Sequence, residues 1–267
     1  MPVSASPLPD PPPEGGELTE DALLGGRVRL LQPAAGYRAA IDPVLLAAAT
    51  PAREGQRVLD LGCGAGAATF CLAARLPGVQ IAGLEIQEAA AGLARRNAHL
   101  NGVADRVAIT VGDAAQAPAH LPPGSDPDLV AARFDHVMTN PPFYPGGRHT
   151  RSPRGAKALS HGEGTADLAT WVAAAARLLA PRGMLTMIHR ADRVDEILAR
   201  LAGRFGAVVL FPLWPRAGAE AKRVIIQARL GARSPARLLP GLVLHGEGGR
   251  YTPGADRALS GGAALDI

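Results

Sequence analysis

Cysteine and lysine are scarce in this chain, and no long hydrophobic run interrupts it; each shortage narrows the field. Two cysteines, Cys63 and Cys71, occur in 267 residues. Their spacing makes neither a C-x-x-C redox pair nor a zinc knuckle, so both are expected as buried thiols. The seven histidines are scattered without metal-ligand spacing, and no metal site is assigned. No apolar stretch approaches the roughly 20 residues that span a bilayer. The amino-terminal "MPVSASPLPDPPPEGGE" has neither a basic start nor an apolar run, so it is not read as a secretory leader. It reads as a disordered, proline-rich tail over 1–17. Without a targeting signal, a cytoplasmic location is expected. Lys157 and Lys222 are the only lysines; arginine carries nearly all the positive charge behind the net +4. That balance permits a polyanionic partner without requiring one.

What is present is a rhythm. "RVLDLG" (57–62), "VQIAGLE" (79–85), "RVAITVGDA" (106–114), "FDHVMTN" (134–140) and "MLTMIHR" (184–190) read as buried strands. Helical patterns fall between or after them, over 86–102, 166–183 and 193–206, with Asn101-Gly102 as one stop signal. "AVVLFPL" (207–213) and "KRVIIQARL" (222–230) follow with a link too short for a helical crossover, so they pair antiparallel. Strands alternating with helices predict an α/β fold with a mostly parallel sheet covered on both faces. Before the first core strand, 25–50 reads as a strand, a turn and a helix, with Asp42-Pro43 as a cap and first turn. The segment 231–267 reads as loosely ordered. The expected organisation is a tail over 1–17, a domain over 18–230 and an extension over 231–267.

In such folds ligands bind beyond the carboxyl ends of the strands. Asp60, Gly62, Gly64, Gly66, Glu85, Asp113 and Asn140 all fall at that rim. The glycines follow a strand directly and suit close approach of a ligand to the backbone. Their G-x-G-x-G spacing differs from the dinucleotide G-x-G-x-x-G pattern. Glu85 can accept hydrogen bonds from ribose hydroxyls, or it can serve as a charge at a helix amino end. Asp113 can accept from an adenine amino group, or it can be an ordinary turn acid. Together, at successive strand ends, these features specify an adenosyl ligand.

"VLDLGCGAG", "GLE", "VGDA" and "TNPPF", in this order, resemble the motifs of class I S-adenosylmethionine-dependent methyltransferases. The resemblance covers about 25–230. It implies a Rossmann-like, doubly wound, seven-stranded sheet, mostly parallel with an antiparallel last strand. It implies S-adenosyl-L-methionine as cofactor, with Asp60 and the Gly62–Gly66 loop around its methionine part. Glu85 and Ile86 would serve the ribose, and Asp113 with Ala114 the adenine.

"NPPF" is the remaining signal. In the resembled enzymes, Asn-Pro-Pro-Phe or -Tyr marks transfer to a planar amino nitrogen, whose delocalised lone pair is a poor nucleophile. Asn140 Oδ1 and the Pro141 carbonyl can accept its two N–H bonds and aim the lone pair, while Pro142 stiffens the turn. Phe143 can stack on a base taken out of its helix. The motif alone does not choose between a nucleobase and a glutamine amide; Phe143 followed by Tyr144 favours nucleic acid. Arg148, Arg151, Arg154 and Lys157 follow in a glycine-containing loop that either grips phosphates or is simply solvated. Lys222 and Arg223 either extend that basic track or decorate an edge strand.

"GYRAAIDPVLLAAA" resembles the leading segment of the bacterial tRNA (adenine-N6)-methyltransferases that modify adenosine 37 of a valine tRNA. On that resemblance Tyr37, Arg38 and Asp42 line the cofactor or substrate entrance, and Arg27 and Arg29 on a hairpin are candidate RNA contacts. The expected activity is methylation of an adenine N6 in RNA, with tRNA first. Ribosomal RNA, a protein glutamine, DNA adenine, and a non-catalytic RNA-binding role on the same fold are the rivals; the intact Asn140–Phe143 motif speaks against the last.

Overall fold

A computed structural model describes residues 17–34, 39–119, 127–131, 133–142 and 167–267. The expectations for the 1–16 part of the tail, for Tyr37, Arg38, Phe143, Tyr144, Arg148 and Arg151, and for the loop carrying Arg154 and Lys157 lie outside the described residues.

The chain opens with a hairpin of β1 (Leu18–Leu23) and β2 (Val28–Pro33), paired antiparallel from Leu18↔Pro33 to Leu23↔Val28. The sequence pattern marked β2 and missed β1, whose acids in "LTEDAL" hide a strand. Helix α1 (Ile41–Ala49) follows, with Val44, Leu45 and Leu46 all buried. Its amino cap is Ala40, with no side-chain capping bond. Asp42 is therefore not the cap: it sits inside the first turn, and its carboxylate is turned to Arg223.

Then come β3 (Arg57–Leu61), α2 (Ala67–Arg75), β4 (Gln80–Glu85), α3 (Glu88–Leu100) and β5 (Val107–Val111). The short α4 (Pro127–Ala131) precedes β6 (Phe134–Thr139), α5 (Leu168–Leu178), β7 (Leu179–Arg190) and α6 (Val194–Leu201). The antiparallel pair is β8 (Phe205–Arg216) with β9 (Arg223–Leu230). In β3 every residue after Arg57 is buried, as expected for a central parallel strand covered on both faces. The strand order across the sheet is β5-β4-β3-β6-β7-β9-β8. Only β9 within this run opposes its neighbours. This is the seven-strand order of a class I methyltransferase sheet.

The chain winds outward from β3 to β5, then returns to place β6 on the other side of β3. The order reverses between β3 and β6, and the crevice at such a switch point is where open α/β sheets bind ligands. Two apolar layers cover the sheet. One gathers α1, α2 and the carboxyl-terminal segment; the other gathers α5 and α6.

The expectation of a loosely ordered 231–267 is corrected. Two short strands, β10 (Arg237–Leu238) and β11 (Leu242–His245), pair parallel with β8 and extend the sheet to nine. Helix α7 (Pro253–Leu259) buries Ala255, Ala258 and Leu259, and the Leu265 N–H donates to Ala48 O on α1 at 2.9 Å. The physical reason is exposed apolar surface on α1 and the edge of β8, which this segment removes from water. A signal for α7 was available: Thr252 caps the helix by accepting from the Ala255 N–H, with Pro253 in the first turn.

Candidate active site

Strand β3 ends at Leu61, and the chain turns through Gly62 and Gly64 at φ 76° and 56° before entering α2. These are left-handed conformations that side chains disfavour. The reasons for glycine differ along the turn. A Cβ on Gly62 would lie 2.5 Å from the ring of Trp171, and one on Gly66 2.2 Å from Phe70. A Cβ on Gly64 would meet nothing within 4 Å, so that residue faces open space. Packing beneath the loop requires the outer glycines; the middle one leaves open space where a side chain would stand.

The loop is tied down from several sides. The Gly62 and Cys63 N–H groups donate to Leu84 O at 2.8 and 3.2 Å. Glu85, only 7% exposed, ends β4, and its carboxylate accepts from the Gly64 N–H and the Gln87 N–H, each at 2.9 Å. Asp60 is 2% exposed and lies under the loop, where Thr69 Oγ1 donates to it at 2.6 Å. Burial pushes its carboxyl up to about 7, against the opposing pull of the Thr69 hydrogen bond. Cys63 and Cys71 are free, buried thiols, and burial pushes Cys71 up to about 12.

Beside Glu85, Ile86 leaves an apolar side chain 53% exposed. The Gly112 N–H donates to Glu85 O at 2.9 Å, which sets the end of β5 next to the end of β4. Asp113 follows, half-buried, accepting from the Ala115 N–H at 2.8 Å, and Ala114 is buried behind it. On the other side of β3, Thr139 Oγ1 donates to Leu61 O at 2.8 Å and fixes the end of β6. Asn140 comes next. Its Oδ1 is buried and has no hydrogen-bond partner among the described residues. Pro141 is buried and Pro142 exposed. The rim thus brings together Asp60, the glycine turn, Glu85, Ile86, Asp113, Ala114 and Asn140.

The methyltransferase small domain model matches residues 41–210. The chain belongs to that family. Its fold and its enzyme class follow: a class I methyltransferase that uses S-adenosylmethionine. A tRNA1(Val) (adenine(37)-N6)-methyltransferase from Aeromonas hydrophila is 33% identical over 213 residues, 79% of this chain and 84% of that protein. One from Porphyromonas gingivalis is 30% identical over 74% of this chain and 76% of that protein. Among solved structures, a predicted O-methyltransferase from Agrobacterium tumefaciens superposes with a TM-score of 0.66 at 28% identity, covering 84% of this chain and 98% of that one.

The crevice of this methyltransferase suits its cofactor on three structural grounds. The open space at the Cβ position of Gly64 admits close approach, the Glu85 carboxylate is fixed by two backbone donors, and Ile86 offers an apolar surface beside it. Among the described residues, no group of three or more His, Cys, Asp or Glu could hold a metal ion, and no helix is long and apolar enough to cross a membrane.

The other half of the rim is basic and internally matched. Because β9 runs against β7, its first residue pairs with the last of β7, Arg223↔Arg190. Arg223 Nε donates to Asp42 Oδ2 at 2.9 Å. Arg190 pairs with Asp192, Arg193 with Glu196, and exposed Lys222 reaches Glu220 at 3.7 Å. Asp42, expected at the cofactor or substrate entrance, and Arg223, expected on a basic track or as edge-strand decoration, are joined by the structure in one ion pair. The hairpin arginines are also engaged, Arg27 with Gly261 O at 2.6 Å and Arg29 with Glu20 at 2.7 Å. Sequence reasoning missed Trp171, the ring under Gly62, and the arginines at the end of β7. No motif marks Trp171; only its place in the first turn of α5, beside the switch point, could have drawn notice.

Proposed function

We propose that this methyltransferase modifies the exocyclic N6 of an adenine in RNA, a transfer RNA first. The observation that carries the reading is the buried, unpartnered Asn140 Oδ1 at the switch point, followed directly by two prolines. A buried acceptor without a donor costs roughly 1–3 kcal/mol, so its retention fits a donor that arrives with substrate. An amine supplies N–H donors there; a hydroxyl that must lose its one proton to react fits the acceptor pair less well. The relatives named for adenine-N6 methylation support the base and the tRNA.

When bound, S-adenosylmethionine supplies a methyl group on a positively charged sulfur. In this reading Asn140 Oδ1 and the Pro141 carbonyl accept the two N–H bonds of N6 and direct its lone pair into the crevice. Pro141 and Pro142 hold these acceptors with little reorganisation. With the cofactor bound, the N6 lone pair would form the new C–N bond as the sulfur–methyl bond breaks, the electron pair staying on sulfur in the departing neutral thioether, and the extra proton on N6 would leave to water afterwards. Gly62, Gly64, Gly66, Glu85, Ile86, Asp113 and Ala114 hold the cofactor, with Asp60 supporting the turn from beneath. Tyr37 and Asp42 flank the entrance. Phe143 stacks on the base, while Arg38, Tyr144, Arg148, Arg151, Lys222 and Arg223 contact RNA. The reaction is placed in the cytoplasm, where tRNA is available.

The test is transfer from labelled S-adenosylmethionine to tRNA, rRNA, DNA and protein from cells lacking the gene, followed by digestion. N6-methyladenosine from tRNA is expected. Label in a glutamine or a guanine would overturn the substrate while leaving the enzyme class standing.

A further inference from the structure

Two asparagines one turn apart, Asn97 inside α3 and Asn101 capping its carboxyl end, hold the hairpin, and one of them also holds the glycine turn. Asn101 Oδ1 accepts from the Arg29 N–H at 2.9 Å, and its Nδ2 donates to Arg29 O at 2.7 Å. Asn97, fully buried, repeats this on Leu31: Oδ1 accepts from its N–H at 2.8 Å, and Nδ2 donates to its O at 2.9 Å. Alternate residues of a strand turn their backbone groups to the same edge. The two side-chain amides therefore pair one edge of β2 as a neighbouring strand would. Asparagine is a poor helix former, so a fully buried one inside α3 at position 97 needs such a reason.

Asn97 does one thing more. Its Nδ2 also donates to Ala65 O at 3.0 Å, in the turn between Gly64 and Gly66. Glu85 holds the Gly64 N–H and Asn97 the Ala65 carbonyl, so adjoining residues of the turn are fixed by side chains from two different elements, the end of β4 and α3. Beyond Leu31, Gln32 Oε1 accepts from the Ala39 N–H at 2.9 Å, carrying the hold across to the start of α1. One acceptor and two donors are used at once at Asn97, a set that Asp, Ser or His at that place does not supply.

We propose that Asn97 is a positioning residue that couples the hairpin with the cofactor turn. Ordering either side then favours ordering of the other, and the coupling is reciprocal. The inference rests on the reading of Gly62–Gly66 as the cofactor turn.

Asn101 provides the control, because it holds the same strand without touching the turn. Calorimetric affinity for S-adenosylhomocysteine is measured for the wild type, Asn97→Ala and Asn101→Ala. Expected is a loss of about tenfold in Asn97→Ala and less than about twofold in Asn101→Ala, while both lower the melting temperature. Equal losses, or none in Asn97→Ala, would overturn the coupling. A wild type that binds no S-adenosylhomocysteine would instead refute the reading of the turn. Should Asn97→Ala not fold, amide exchange of the wild type decides: S-adenosylhomocysteine must slow exchange at Leu31 more than at Arg29, and equal protection sinks the proposal.

Discussion

Two halves of one rim face each other across this sheet. Over β3 to β6 the functional groups are two buried carboxylates, Asp60 held by the Thr69 hydroxyl and Glu85 by backbone N–H groups, at 2% and 7% exposure, together with the Asn140 amide, whose buried Oδ1 has no partner among the described residues. Over β7 to β9 they are cations paired with carboxylates, from Arg223 and Asp42 at 32% and 15% exposure to Lys222 and Glu220 at the surface, 68% and 91% exposed. The difference teaches what each half can exchange. A buried carboxylate bound to amides has a fixed geometry, and removing a partner leaves a costly orphan. A surface ion pair contributes roughly 0–1 kcal/mol, so an arriving polyanion can take over the cation at little cost. The first half suits a small ligand of one shape, the second a phosphate backbone whose position varies.

The comparison is broken most directly at Asn140. Asn140→Ala is expected to lower transfer by about 10³-fold, the scale for losing a preorganised acceptor, while cofactor affinity holds within about twofold. Lost cofactor affinity in that variant would move Asn140 out of the role given to it. Next in size, Glu85→Ala frees both the Gly64 and Gln87 N–H groups. Affinity for S-adenosylhomocysteine should fall by about 10²-fold in calorimetry, and an unchanged affinity would remove Glu85 from the cofactor site.

Asp60 sharpens the contrast through pH. Its carboxyl titrates near 3.8 when unfolded and is pushed up to about 7 in the fold by burial. Between those values the native state holds the extra proton, so this group's contribution to stability falls as pH rises from about 4 to 7. His136 and His189 are held down to about 4 by burial and act with the opposite sign below about 6.5. They are common to wild type and variant and cancel in the difference. The stability of Asp60→Asn minus that of the wild type, from urea unfolding, should therefore climb by on the order of a few kcal/mol between pH 4 and 7.5. A flat difference would mean Asp60 is not desolvated as the structure places it.

The smallest effect is expected in the basic half. Arg223→Ala leaves the Asp42 carboxylate, only 15% exposed, without this partner and should cost about 1–2 kcal/mol in stability. RNA affinity should weaken a few-fold, with the salt slope reduced by about one. An unchanged slope would place the RNA away from β9.

Much of this was legible from short patterns. The strands around Leu59, Leu84, Val137, Leu185 and Ile225 are apolar runs bounded by turn residues, and their alternation with helices dictates a parallel sheet. The glycine turn and Asn140 were visible because their chemistry is written in adjacent residues. The 231–267 segment was misjudged because β10 and β11 are too short to show a period, and their stability comes from the β8 edge they cover. Asp42 was misread as a cap because a local rule was applied where Arg223, distant in sequence, takes the carboxylate.

By itself the sequence determined the sheet, the methyltransferase motifs and the crevice they share, since hydrophobic periodicity and adjacent polar residues act over a few positions. Only the tertiary structure decided which groups are occupied and which are free. Arg223 is matched by Asp42, Ala65 O by Asn97 and Gly62 by the Trp171 ring, while Asn140 Oδ1 is buried without a partner among the described residues. Those outcomes depend on contacts between residues far apart in the chain, where burial sets the cost of every unmet hydrogen bond.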